Sequence, residues 1–251
     1  MSSIIDKLLY ILDRLSNIQV GIILSSNGTL ISEDLAQMIK KYLTSIQISI
    51  DGKKETHDAI KGKGCFDQTI ESIKICKRND IFLQVNLVPT KKNISEIMDV
   101  AYLCESLGVN RLQIFPLIPR GGGITVYDDL RLDPQEIEKI HDKCLNAKKR
   151  NKWNIFIGLS RRHLAKGSCV LIKPNGKVYS PSYDSSDNVY AGDLRNRSLL
   201  NIWNESNAFN KKNHLLQVNP YQIICAKSMV AAHPDASYGV FEKIEKPNNK
   251  K

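Results

Sequence analysis

Four short polar segments, each following an apolar run, hold the residue types that bind small polar ligands. They are Ser25-Ser26-Asn27-Gly28-Thr29, Ser49-Ile50-Asp51-Gly52, Asn86-Leu87-Val88-Pro89-Thr90 and Phe115-Pro116-Leu117-Ile118-Pro119-Arg120-Gly121. Serine hydroxyls and asparagine amides donate and accept hydrogen bonds, and Gly28 and Gly52 let the chain leave an extended run sharply. A fifth segment, His57 to Phe66, adds the cation Lys61 among flexible glycines. The chemistry these types support is recognition of a small ligand carrying a carboxylate or phosphate, held by Lys61 and by backbone N–H groups of the turns. Ser-Asn-Gly and Asp-Gly turns also arise for conformational reasons alone, so residue type leaves a purely structural role open.

The flanking patterns decide where these segments sit. Ile4, Ile5, Leu8, Leu12 and Leu15 recur at helical spacing, and an apolar run from Ile18 to Leu24 follows. A second helix, with Ser32 as its cap, carries Leu35, Met38, Ile39 and Tyr42, and leads to the run Ile46 to Ile50. The pattern continues with a loop from Asp51 to Phe66, a helix to about Arg78, a strand from Ile81 to Val88, a helix carrying Ile97, Val100, Ala101, Cys104 and Leu107, and a strand from Arg111 to Leu117. Asp133-Pro134-Gln135-Glu136 signals a capped helix running to about Arg150. Strands read as apolar throughout and separated by amphipathic helices predict an α/β fold, a parallel sheet joined by right-handed crossovers, over residues 1–160. In such folds ligands sit outside the carboxyl ends of the strands, where the polar segments fall. After Trp153 the pattern shifts to short strands around Pro174-Asn175-Gly176 and a short helix from Leu199 to about Phe209, so a smaller domain is expected over 168–246. The Pro247 to Lys251 tail is polar and expected to fray.

A length of 251 residues fits one or two domains, and 42% apolar with 25% charged residues is ordinary for a globular chain. The net charge of +10 draws on eight basic residues between His141 and Gly167. That stretch is a solvated helix face or an attraction for an anionic small molecule or peptide. No nucleic-acid-binding fold is recognisable around it, so nucleic acid is not an expected partner. No apolar run approaches a membrane span, which predicts a cytoplasmic protein with no membrane partner. The six cysteines form no Cys-x-x-Cys pair, and Cys76, Cys104 and Cys144 fall on apolar helix positions as core residues. His163, beside Arg161 and Arg162, is read as a surface residue.

Taken together the segments resemble the radical S-adenosylmethionine (radical SAM) enzymes that carry a C-terminal SPASM or twitch domain. Ser26-Asn27-Gly28-Thr29-Leu30 resembles the family's turn after its third barrel strand, and Ile46 to Gly52 with His57-Asp58 and Lys61-Gly62 resembles its fourth-strand segment. Ile172 to Tyr179, Ala191-Gly192-Asp193-Leu194 and Ser198 to Trp203 resemble the start and middle of the SPASM domain. Among its branches the chain looks most like those acting on tetrapyrroles in haem formation and their peptide-modifying cousins.

The resemblance implies a partial (βα) TIM-like barrel that lacks its first two strand-helix units, with a small SPASM-like appendage. It implies S-adenosylmethionine as cofactor, with Ser49 and Lys61 on the methionyl carboxylate, Ser25, Asn27, Asp51 and Asn86 lining the same mouth, and the segment through Pro119 facing the adenine. Lys61 stands where the family has Arg, and loses the bidentate fork. The family also has a 4Fe-4S cluster, but its Cys-x-x-x-Cys-x-x-Cys ligands and the Gly-Gly-Glu-Pro motif are absent from this sequence. Cys169 and Cys225 are expected as relics of auxiliary-cluster ligands, since two thiolates do not complete a four-cysteine set. Two readings follow. The chain is an enzyme component, inactive alone, whose partner chain supplies the amino-terminal part or which self-associates as a homo-oligomer; or it is a non-catalytic binding module retaining the fold.

Overall fold

The structure is a computed structural model and describes residues 4–18, 20–119, 121–160, 169–181 and 188–209. The chain separates into two compact units, Met1–Ser160 and Arg161–Lys251. In the first, α1 (Ile4–Ser16), β1 (Ile23–Ser26), α2 (Glu33–Ile39), β2 (Ser45–Ser49), α3 (Lys54–Lys61), α4 (Cys65–Arg78), β3 (Leu83–Leu87), α5 (Ile97–Ser106), β4 (Arg111–Ile114), α6 (Tyr127–Leu130), α7 (Pro134–Asn151) and β5 (Phe156–Leu159) follow one another. The five strands are parallel and lie in sequence order, β1-β2-β3-β4-β5, with Ser25 opposite Gln47, Ser49 opposite Asn86 and Asn86 opposite Gln113.

Helix caps follow the sequence. The Ser32 hydroxyl accepts from Leu35 N–H at the start of α2, and Asp133 with Glu136 forms a reciprocal capping box on α7. Four elements depart from the sequence reading. β1 occupies Ile23–Ser26, at and beyond the end of the Ile18 to Leu24 run, and α6 is a short helix where no element was expected. Lys54–Lys61 is a helix within the expected loop, and β5 is a further strand. The strands also alternate in side-chain character. Ile46, Ile48, Leu83, Val85, Leu87, Leu112 and Ile114 join the helices in one core, together with Cys76, Cys104 and Cys144. Burial pushes the Cys76 and Cys144 thiols up to about 11 and raises Cys104 as well, so these groups are core atoms and not thiolates. The residues between them in β2, β3 and β4, which are Gln47, Ser49, Gln84, Asn86, Arg111 and Gln113, occupy the opposite face.

The second unit holds an antiparallel sheet of β6 (Leu171–Ile172), β7 (Lys177–Ser180) and β8 (Val189–Asp193), with α8 (Leu199–Glu205) capped by Ser198. Val178, Ile202 and Phe209 form its small core. His163, the basic residues Arg161, Arg162 and Lys166, and the terminal tail lie outside the described residues. Among the described residues no helix is long and apolar enough to cross a membrane.

Candidate functional site

The polar face of the sheet carries one hydrogen-bonded group across β1, β2 and β3 and another on β4. The Ser25 hydroxyl donates to Gln47 Oε1 at 3.2 Å, Asn86 Nδ2 donates to the same oxygen at 3.3 Å, and Gln84 Nε2 donates to Asn86 Oδ1 at 2.6 Å. On β4 the Arg111 Nε–H donates to Gln113 Oε1 at 2.9 Å, and the guanidinium lies 4.5 Å from the centre of the Phe156 ring. Gly158 makes this possible, because a Cβ there would stand 2.5 Å from Gln113 Oε1 and 3.0 Å from the guanidinium. Sequence reading singled out the strand ends and missed Gln47, Gln84, Arg111 and Gln113, one turn of the pleat deeper.

Above this layer lie the strand ends. Asn27 is exposed, and its carboxamide oxygen accepts from Thr29 N–H at 3.3 Å and from the Thr29 hydroxyl at 3.1 Å. Its turn is anchored from α4, where the Thr69 hydroxyl donates to Asn27 O at 3.0 Å and the buried Ser72 hydroxyl donates to Gly28 O. Ser49 closes β2 beside Asn86, half-buried, and among the described residues its hydroxyl has no protein partner.

Asp51 and Lys61 meet as an ion pair. Lys61 Nζ lies 3.3 Å from Asp51 Oδ2, with side chains 35% and 12% exposed. His57, 1% exposed, stands between them in the chain, and its Nδ1 accepts from Asp51 N–H at 3.2 Å. That bond leaves the proton of the neutral ring on Nε2, a buried atom without a hydrogen-bond partner among the described residues. The Phe66 ring packs edge-on at 5.7 Å. Burial lowers the His57 pKa against the pull of Asp51, so the ring is neutral at pH 7.

The segment that carries Lys61 is fixed at three points. Asp58 accepts from Gly64 N–H and Phe66 N–H, each at 2.8 Å, and these bonds hold its carboxyl below the usual carboxylate range. Glu96 accepts from Lys53 N–H and from the Thr56 hydroxyl, each at 2.7 Å. Gly52, at φ +152°, passes so close that a Cβ would lie 2.5 Å from Glu96 Oε2. Asn93, 1% exposed, donates to Asp51 O at 2.8 Å and Val88 O at 3.0 Å, and so ties the loop after β2 to the loop after β3. Sequence reading assigned Asn93 and Glu96 no role; an Asn followed three residues later by Glu at a helix entry was the available signal.

The structure therefore brings Ser25, Ser49 and Asn86 onto one face of three adjacent strands and couples Asp51 to Lys61. Asn27 stands one residue past the end of β1. Pro119 sits in the loop after β4, and no bond links it to the other residues. Cys169 lies just before β6 in the second unit, and Cys225 lies outside the described residues.

A parallel sheet with one face buried under helices and a polar opposite face, lined at its carboxyl end by hydrogen-bonding loops, defines a partial-barrel α/β fold. Residues 3–104 match the Radical SAM superfamily. The chain is 28% identical over 210 residues to "Mycofactocin maturase MftC" of Mycolicibacterium smegmatis, covering 76% of this chain and 52% of that one. It is 26% identical over 219 residues to "AdoMet-dependent heme synthase" of Methanosarcina barkeri, covering 76% and 62%. It thus spans between half and two thirds of the length of these relatives. Among solved structures, Streptococcus suis SuiB bound to S-adenosylmethionine superposes with a TM-score of 0.66 at 14% identity, covering 86% of this chain and 57% of SuiB. That likeness is one of fold.

The superfamily uses S-adenosylmethionine and a 4Fe-4S cluster. The donor set does not fit the cluster: three of the six cysteines are buried in the helical core with raised pKa values, and among the described residues no three His, Cys, Asp or Glu side chains converge as a metal site. No chemical step is derived through a cluster on this chain's residues.

Proposed function

We propose that the first unit binds S-adenosylmethionine at the carboxyl end of its sheet, and that this chain's own residues hold and orient the cofactor. The single observation that carries the reading is the Ser49 hydroxyl, uncommitted at the end of β2 beside Asn86, with Lys61 at the mouth as the nearby cation. In this reading Ser49 donates to the methionyl carboxylate and Lys61 pairs with it. Ser25, Asn27 and Asn86 line the wall, and the segment through Pro119 closes over the adenine. The superfamily match and the relatives, a haem synthase and a mycofactocin maturase, support an adenosyl-cofactor role in tetrapyrrole or peptide modification.

A binding module is the second reading, and the misfit of the cysteines to a cluster favours it: the residues present bind, and none of them supplies an electron. Calorimetric titration with S-adenosylmethionine tests the shared core of both. Ser49→Ala removes a hydrogen bond to a charged group, worth about 1.5–3 kcal/mol, and should weaken binding by roughly ten- to a hundredfold. Absence of binding by the natural chain, or equal affinity in the variant, overturns the assignment.

A further inference from the structure

On the outer side of the sheet, α5 and α7 leave a cavity of about 430 Å³ between them, lined by Ile94, Ser95, Ile97, Met98, Glu136, Lys139, Ile140 and Lys143. Its floor is apolar. Ile97 and Ile140 are buried, Met98 is half-buried, and Ile94 is 39% exposed where a solvated helix entry would carry a polar residue. Its rim is cationic. Lys139 and Lys143 stand four residues apart on one face of α7, a like-charge spacing that disfavours the helix. Among the described residues neither lysine forms an ion pair. Glu136 lines the same cavity; its carboxylate accepts from Asp133 N–H at 2.8 Å and keeps its negative charge, so two ammonium groups and one carboxylate leave the rim net positive.

We propose that this groove binds an amphipathic anion, an unbranched alkyl chain ending in a carboxylate. The chain lies over Ile94, Met98 and Ile140, and the head group lies between Lys139 and Lys143. The volume is within the range of small-ligand sites, roughly 300–1,000 Å³, and the lining has their usual composition of apolar walls with a few convergent polar groups. The unbranched thioether of Met98 adapts to a chain of variable length. Charge selects the head group: a rim of two ammonium groups and one carboxylate, net positive over an apolar floor, favours a carboxylate over an alcohol of the same length.

Octanoate and 1-octanol, titrated separately at pH 7 and followed by calorimetry, test this directly. Octanoate should bind saturably at one site and octanol at least several-fold more weakly. Lys139→Gln with Lys143→Gln removes two solvent-exposed charge pairs and should weaken octanoate on the order of tenfold while leaving octanol unchanged. Ile94→Glu places a carboxylate over the floor and should abolish octanoate binding. All three substitutions are at exposed positions, and an unchanged melting temperature verifies the fold. No saturable binding by the natural chain, equal affinity for the alcohol, or octanoate binding unaffected in both variants overturns the proposal.

Discussion

Asp51→Asn should tighten the binding of S-adenosylmethionine. Lys61 cannot grip a ligand carboxylate while it is paired with Asp51, 3.3 Å away, so the ligand competes with a resident carboxylate for one cation. At that separation two unit charges attract by about 5 kcal/mol at an effective dielectric constant near 20. Lys61 is 35% exposed, however, and exposed pairs measure only about 0.2–1 kcal/mol. Since Asp51 is largely buried, we take the upper end of that range, about 1 kcal/mol, which corresponds to roughly fivefold in affinity. Asparagine keeps the shape, and the bonds from Asp51 N–H to His57 and from Asn93 to Asp51 O involve only the main chain of residue 51. Titration of both proteins at low ionic strength measures the difference, and added salt should shrink it by screening the pair. Unchanged or weaker binding in the folded variant would refute the competition. Weaker binding would instead put Asp51 in direct contact with the ligand's ammonium or sulfonium.

Two further outcomes follow from packing and protonation. Gly158→Ala drives a methyl into Gln113 and the Arg111 guanidinium, and should cost about 1–3 kcal/mol in urea unfolding, the usual penalty for overpacking; an unchanged midpoint would show that the Arg111–Gln113 pair shifts freely. His57 has a pKa depressed by burial, so the unfolded chain binds its proton more readily. The stability from keeping this ring neutral is present above the unfolded value of about 6.5 and is lost as pH falls below it. His57→Gln should therefore lose less stability between pH 7.5 and pH 5.5 than the natural chain, and parallel losses in urea midpoints would count against a titrating His57.

Most of the fold was legible because α/β proteins write their layers as long periodic segments. The capping box at Asp133 and the apolar stripe of α4 needed nothing beyond local sequence. The helix Lys54–Lys61 was not legible for a physical reason. Lys-Glu-Thr-His-Asp-Ala-Ile-Lys has only Ala59 and Ile60 as apolar residues and no side-chain cap at Lys53. What forms it is distant in sequence: Glu96 holds its first turn and the burial of His57 holds its middle. β5 was hidden by Gly158, which in isolation weakens a strand. Its presence makes sense only once the side chains of Arg111 and Gln113 fill the space in front of it.

The site shows the same division between local and non-local signals. Ser49, Asn86 and Lys61 could be singled out because they end strands or punctuate a loop. Gln47, Gln84 and Gln113 lie inside strands that were read as apolar throughout, yet Ile46-Gln47-Ile48-Ser49-Ile50 and Leu83-Gln84-Val85-Asn86-Leu87 alternate at period two. That alternation carries functional information. A parallel sheet covered by helices on both faces needs apolar residues at every position, whereas one covered on a single face needs them only at alternate positions. The intervening amides therefore mark the opposite, polar face of the sheet, where Gln47, Gln84 and Asn86 hydrogen-bond to one another. In the proposed function the strand ends are where the ligand would enter, and the alternation gives the side of the sheet it would occupy.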